Sequence, residues 1–203
     1  MRILIATKNP HKAGELAALT SGQALALAEW EAESGRALPC PEENGRTFAA
    51  NAILKARAYA AAAGLAALAD DSGLAVPALG GAPGVHSARF GGAGLSDPGR
   101  CLALLRLMRS RRRDRRAFFI TVLALARPDG RHLLWPGRLE GHLTLAPAGR
   151  GGFGYDPIFR PRGSALTLAQ MSPEQKNAVS HRARAARAFL ADGDRIRAFL
   201  AGA

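Results

Sequence analysis

Only two cysteines occur in the 203 residues, Cys40 and Cys101, and neither has a Cys or His partner at metal-ligand spacing. This argues against a disulfide-framed fold and against structural zinc, and it fits a reducing cytoplasm. Long apolar runs are also missing. The opening MRILIATKNPHK carries four apolar residues, Ile3 to Ala6, before a Thr, a Lys and an Asn-Pro, too few for a signal-peptide core or a membrane span. No repeat and no low-complexity linker interrupts the chain, so we expect one domain over residues 1–203. Acidic residues are scarce: 16 Asp and Glu stand against 28 Lys and Arg, a net charge of +12. Such a balance suits nucleic acid or the steering of a small polyanionic substrate, and charge alone does not choose. With 48% hydrophobic and 22% charged residues the chain is globular rather than disordered.

What is present alternates between strand and helix signals. RILIAT reads as a strand, and Asn9-Pro10 as the cap and first residue of a helix that starts at once after it. A short strand near Leu25 to Ala28 and an irregular segment to Gly45 follow. Thr47 then caps the Ala-rich helix TFAANAILKARAYAAAAG, closed by Gly64. LAALADDSGLAV reads as a buried strand, a turn carrying two acids and a second short strand. Ser96-Asp97-Pro98 opens a helix to Met108. Pro128-Asp129-Gly130 marks a hairpin between two β-rich segments, and Ser172 with Gln175 has capping-box spacing. The fold class is therefore α/β, a mixed, twisted central sheet covered by helices; we expect it in two lobes with the active cleft between them.

Several stretches carry chemistry. TKNPHK, from Thr7 to Lys12, puts free backbone N–H groups and a lysine at a helix start, a place for phosphate, although the Gly-rich P-loop pattern is absent. Thr47, Asn51 and Lys55 line one face of an otherwise apolar helix, and a lysine there wants an anionic partner. Two adjacent carboxylate pairs, Glu42-Glu43 and Asp70-Asp71, offer the hard oxygen ligands that suit Mg2+ or Mn2+ together with phosphates and water. GRGGFGYDPIF sets Phe153 and Tyr155 among glycines, a credible clamp for a flat base. EQKNAVSHRARA gathers Lys176, His181 and Arg182.

Taken in order, TKNPHK, EENGRTFAANAILKA, ADDSGL, GGAPGVHSARF, GGFGYDPIF and SHR resemble the Ham1/RdgB family of inosine triphosphate pyrophosphatases, enzymes that hydrolyse non-canonical purine nucleoside triphosphates. The resemblance runs from Ile3 to about Arg182. It implies that Thr7, Lys8, Asn9, Pro10, His11 and Lys12 meet the triphosphate with Lys55 nearby, and that Asp71 is both the base and a magnesium ligand. It further implies that Ser72 contacts substrate, and that Phe153, Gly154, Tyr155 and Asp156 with Lys176, His181 and Arg182 form the nucleoside pocket. Glu42 is our choice for the second metal-side carboxylate, with Glu43 beside it left open. Lys8 and Ala50 depart from the residues usual in the family. The resemblance also implies a homodimer, with no stable nucleic-acid partner and no membrane.

The expected reaction is Mg2+-dependent cleavage of ITP, dITP or XTP between the α- and β-phosphates, giving the monophosphate and pyrophosphate. Two alternatives stand beside it: a Maf-like pyrophosphatase of other base preference, and a non-catalytic basic nucleic-acid-binding domain built on the cluster Arg109 to Arg116.

Overall fold

The computed structural model describes residues 2–19, 24–38, 40–92, 94–111 and 113–202. Six strands form one sheet in the order β2-β1-β3-β4-β5-β6. β1 (Ile3–Ile5) pairs in parallel with β2 (Ala24–Ala26) and with β3 (Ala66–Ala75), whereas β5 (His132–Leu143) and β6 (Phe159–Pro161) are antiparallel. β4 (Arg116–Ala126) and β5 are joined by the expected turn, where Gly130 N–H donates to Arg127 O and Arg127 N–H to Arg131 O. The sheet is mixed, as the sequence predicts.

The helix starts also follow from local chemistry. α1 (Pro10–Leu19) begins where Asn9 Oδ1 accepts from the N–H groups of His11 and Lys12, at 3.0 and 3.2 Å. α3 (Phe48–Ala63) is capped by Thr47 Oγ1, which accepts from Ala50 N–H, and ends at Gly64 with φ +68°. α4 (Asp97–Leu107) starts at Ser96, and α5 (Pro173–Val179) at the Ser172 capping box with Gln175. α6 (His181–Ala191) and α7 (Gly193–Ala201) complete the chain.

Two expectations are corrected. Leu27–Ser34, expected as a strand end and the start of an irregular segment, forms α2 instead. Glu29 Oε2 accepts from Ala26 N–H at its start, Leu27 and Trp30 are buried one turn apart, and Gly35 adopts the left-handed conformation at its end. Nor does LAALADDSGLAV turn at its acids: β3 runs unbroken for ten residues through both aspartates. A turn would relieve two like charges, but each aspartate has its own cation, so the strand continues.

By packing, the chain falls into two compact units: residues 1–71, 121–137 and 182–203, and residues 72–120 with 138–181. In the first, strand alternation divides the core. Leu4, Ala6, Ala67, Ala69, Val122 and Ala124 pack with Trp30 of α2 and with Ala52, Ala56 and Tyr59 of α3. Ile5, Ala66, Leu68, Leu123 and Leu125 pack on the other face with Leu16 of α1, Ala185 and Phe189 of α6 and Ile196 of α7. In the second unit, Leu74, Cys101, Leu104, Met108, Phe119, Leu139, Tyr155 and Phe159 form one cluster.

Candidate functional site

The alternation of β3 assigns its two aspartates to opposite faces. Asp70 continues the row of Ala66 and Leu68 toward α1 and α6; Asp71 continues Ala67 and Ala69 toward α3. Each meets a different set of partners.

Asp70 is fully buried among cations. Its Oδ2 lies 3.1 Å from Lys12 Nζ on α1 and accepts from Arg182 Nη2 and Nε at 3.1 and 3.3 Å. Arg182, in the first turn of α6 and 1% exposed, also pairs through Nη1 with Glu15 of α1. Burial alone would raise the Asp70 pKa, but Lys12, Arg182 and Lys55 bring it well below the usual carboxylate range. Lys12 is pushed down by its burial, a shift that Asp70 only partly opposes. Arg182 is raised, its desolvation outweighed by Asp70 and Glu15. Asp70 is thus the buried counter-charge of two cations.

Asp71 is placed differently. Asn51 Nδ2 donates to its Oδ2 at 3.1 Å, and Lys55 Nζ stands 3.7 Å from its Oδ1. Lys55 also donates to Glu43 Oε1 at 2.9 Å, so one ammonium lies against both carboxylates. Burial raises the Asp71 pKa, and Lys55, Lys12 and Asn51 do not fully offset it. For Lys55, burial acts downward but Asp70, Asp71 and Glu43 together leave its pKa raised. The segment that bears Glu43 is tied to α3 by Gly45 N–H, which donates to Asn51 Oδ1 at 2.7 Å. A Cβ at Gly45 would fall 2.5 Å from that oxygen, so this approach requires glycine. Glu43 is half-buried beside Lys55, while Glu42 is exposed.

The rest of TKNPHK surrounds the start of α1. Thr7 is half-buried and its Oγ1 accepts from Asn9 N–H at 3.2 Å; Lys8, Asn9, Pro10 and His11 are exposed. Among the described residues, no three His, Cys, Asp or Glu side chains gather into a metal site of their own. The donors at hand are Asp71 and, across the Lys55 ammonium, Glu43. That suits a magnesium ion completing its shell with water and substrate phosphate rather than an all-protein cage.

The second unit holds the other predicted residues. Ser72 follows Asp71 on β3 and is half-buried. Asp156 Oδ2 accepts from Phe153 N–H at 3.0 Å and from Lys176 Nζ at 2.7 Å, and the Lys176 ammonium lies 4.5 Å from the Phe153 ring centroid. Tyr155 is buried and its hydroxyl donates to Ser87 O at 2.9 Å, which commits its ring to the core. His181 stacks on Phe119 at 4.7 Å, 9° from parallel. Gly152, at φ +71°, passes so close to Asp156 that a Cβ would fall 2.1 Å from Oδ2.

Within the first unit, then, the structure brings together Lys12, Lys55, Asp71 and Arg182; within the second it groups Phe153, Gly154, Tyr155, Asp156 and Lys176. Glu15 was missed in the sequence, although its place three residues after Lys12 on one helix face signals a shared site. Asn51 was visible on the polar stripe with Lys55, but Thr47 of that stripe serves only as the cap. The arginine cluster is largely structural or solvated. Arg115 donates to Leu143 O and Thr144 O, Arg111 to Ala78 O and Arg116 to Asp114, while Arg112 lies outside the described residues. Two surface concavities of about 550 and 470 Å³ share Arg113, and neither is lined by a candidate site residue.

Comparison with known proteins identifies the family. A model of the Ham1 family matches residues 3–192. The dITP/XTP pyrophosphatase of Deinococcus radiodurans is 50% identical over 190 residues, covering 94% of this chain and 92% of the relative. The Ham1 protein of Staphylococcus aureus superposes with a TM-score of 0.82 at 36% identity, covering 96% of this chain and 98% of that one. A HAM1 protein from Coxiella burnetii gives 0.83 at 37% identity, with 93% and 96% covered. Its motifs, sheet and sequence relatives agree, and the chain belongs to the Ham1 family.

Proposed function

We propose that this protein hydrolyses non-canonical purine nucleoside triphosphates, dITP, XTP and ITP, to the monophosphate and pyrophosphate. The observation that carries the proposal is the division of labour on β3: Asp70 is spent on Lys12 and Arg182, whereas Asp71 keeps a carboxylate beside Lys55 and Glu43. Family membership displaces the Maf-like and non-catalytic alternatives.

In this reading Asp71 orients and deprotonates the water that attacks at the α–β linkage, and Asn51 fixes the carboxylate for it. Lys12, at the positive end of α1, and Lys55 of α3 bind the triphosphate and stabilise charge that develops on it. Bound Mg2+ would neutralise phosphate charge and polarise the scissile linkage, and Asp71 with Glu43 or Glu42 would hold it. We favour Glu43, because Lys55 draws its carboxylate toward Asp71 while Glu42 is exposed.

Residues Phe153 to Asp156, with Lys176 and His181, are assigned to the base. The N–H groups of Phe153, Gly154 and Asp156 are engaged with Asp156, Asp97 and Phe153 O. The 6-keto oxygen of the purine is therefore assigned to Tyr155 N–H and His181, and an adenine amino group would face donors instead of an acceptor. Arg182 is assigned to holding Asp70 rather than to the base, given its bonds to Asp70 and Glu15.

Among the described residues no helix is long and apolar enough to cross a membrane; a cytoplasmic homodimer is our working assembly, to be tested by light scattering. Product analysis tests the reaction. Phosphorus NMR of an ITP digest should show IMP and pyrophosphate, and inosine diphosphate with orthophosphate would overturn the assignment.

A further inference from the structure

Gly154 lies within the segment assigned above to the base, and both of its peptide planes are held from one helix. Its N–H donates to Asp97 Oδ2 at 2.7 Å, and its carbonyl oxygen accepts from Cys101 Sγ at 3.3 Å. Asp97 and Cys101 stand four residues apart on α4, so they project from the same helix face one turn apart. Gly154 has φ +62°, a conformation in which its two peptides can face one helix without steric cost.

The supports are themselves fixed. Asp97 sits in the first turn of α4, where the helix dipole favours its charge, and Arg100 engages the other oxygen at 3.3 Å, leaving Oδ2 for Gly154. Cys101 is fully buried beside Leu104 and Met108. Burial, with Asp97 and Asp156 nearby, pushes its thiol up to about 12, so Sγ keeps the proton it donates. The neighbouring residues are held separately, Phe153 by Asp156 and Tyr155 by Ser87. Gly154 is thus the link whose orientation depends on α4.

We propose that Asp97 and Cys101 are positioning residues for base selectivity: together they set the Gly154 peptides and so aim the backbone groups that discriminate a 6-keto purine from adenine. The inference rests on the assignment of Phe153 to Asp156 to the base. It places a determinant of specificity on α4, outside the motifs from which the site was first recognised.

The test compares Asp97→Ala, Cys101→Val and Cys101→Ser with wild type, reading kcat/KM for ITP and ATP and hydrogen exchange of the peptide covering residues 150–156. Asp97→Ala should compress the ITP:ATP ratio by about tenfold to a hundredfold, the worth of one charge-assisted hydrogen bond. The loss should fall on ITP, mainly as a rise in KM, and exchange at Gly154 should quicken. Cys101→Val should act in the same direction and more weakly, and Cys101→Ser, which restores a donor, should return the ratio to within about threefold of wild type. A wild-type ratio in Asp97→Ala despite faster exchange would overturn the selectivity role. Unchanged exchange in both Asp97→Ala and Cys101→Val would overturn the clamp. Equal use of ITP and ATP by the wild type is a separate failure: it removes the base assignment, and the inference with it.

Discussion

Asparagine at position 70 and asparagine at position 71 should produce opposite phenotypes, though each change replaces one carboxylate oxygen by nitrogen in the same strand. Asp70 is completely buried and neutralises Lys12 and Arg182 through contacts of 3.1 to 3.3 Å. Asp70→Asn keeps the shape but leaves two buried cations with Glu15 as the counter-charge we identify. Breaking a buried pair from one side costs about 3–5 kcal/mol, which for a chain of this length is a fall in Tm of roughly 6–20 °C. Asp71→Asn should leave stability within about 1 kcal/mol of wild type, because Asn51 Nδ2 can still donate to the oxygen that remains. Its cost should appear in turnover, a loss of at least about a hundredfold in kcat, the lower end of what a positioned base contributes. Thermal melts and guanidinium titrations, read with pyrophosphate release from ITP, decide the matter. A loss under about 1 kcal/mol in Asp70→Asn, or turnover within about threefold of wild type in Asp71→Asn, would refute the division of roles on β3.

Lys55→Ala should lower kcat/KM for ITP and ATP alike, by about tenfold to a hundredfold, leaving their ratio near wild type, because the lysine faces carboxylates and phosphate and not the base; steady-state kinetics on both nucleotides checks this. Gly141→Ala should destabilise the chain by about 1–3 kcal/mol in a guanidinium titration, since the new Cβ would fall 2.3 Å from Arg160 O and 2.7 Å from Phe159 Cζ where β5 meets β6. At pH 8 a thiol whose pKa is about 12 is ionised to roughly one part in ten thousand, so Cys101 should not react with Ellman's reagent while exposed Cys40 does. One reacting thiol is expected in the native protein and two after denaturation.

How far the sequence carried can be judged on particular residues. Caps and turns were legible because they are local: Asn9-Pro10, Thr47, Ser96 and Ser172 all start helices where expected. β3 was legible as a buried strand but not in its length or faces, because both faces are buried and AALADD shows no alternation from which a face could be assigned. Its adjacent acids therefore looked like a turn, and the cations that make a straight strand tolerable come from α1, α3 and α6, far along the chain. The helix α2 was missed although Leu27, Trp30 and Gly35 carried its signal. Arg182 was expected in the nucleoside pocket, and only the fold shows it buried against Asp70. Asp97 was legible as part of a helix start, but nothing tied it or Cys101 to the site, because what distinguishes them is a hydrogen-bond partner in a distant loop.

The central claim is selective cleavage of non-canonical purine triphosphates, and the most direct measurement is kcat/KM for ITP, dITP, XTP and ATP on the wild-type protein, by pyrophosphate release with and without Mg2+. The account predicts turnover only with the metal, and a preference for the 6-keto purines over ATP of at least about a hundredfold, the scale of two mismatched buried hydrogen bonds. Equal use of ATP and ITP would contradict it, even with pyrophosphate as the product and magnesium required.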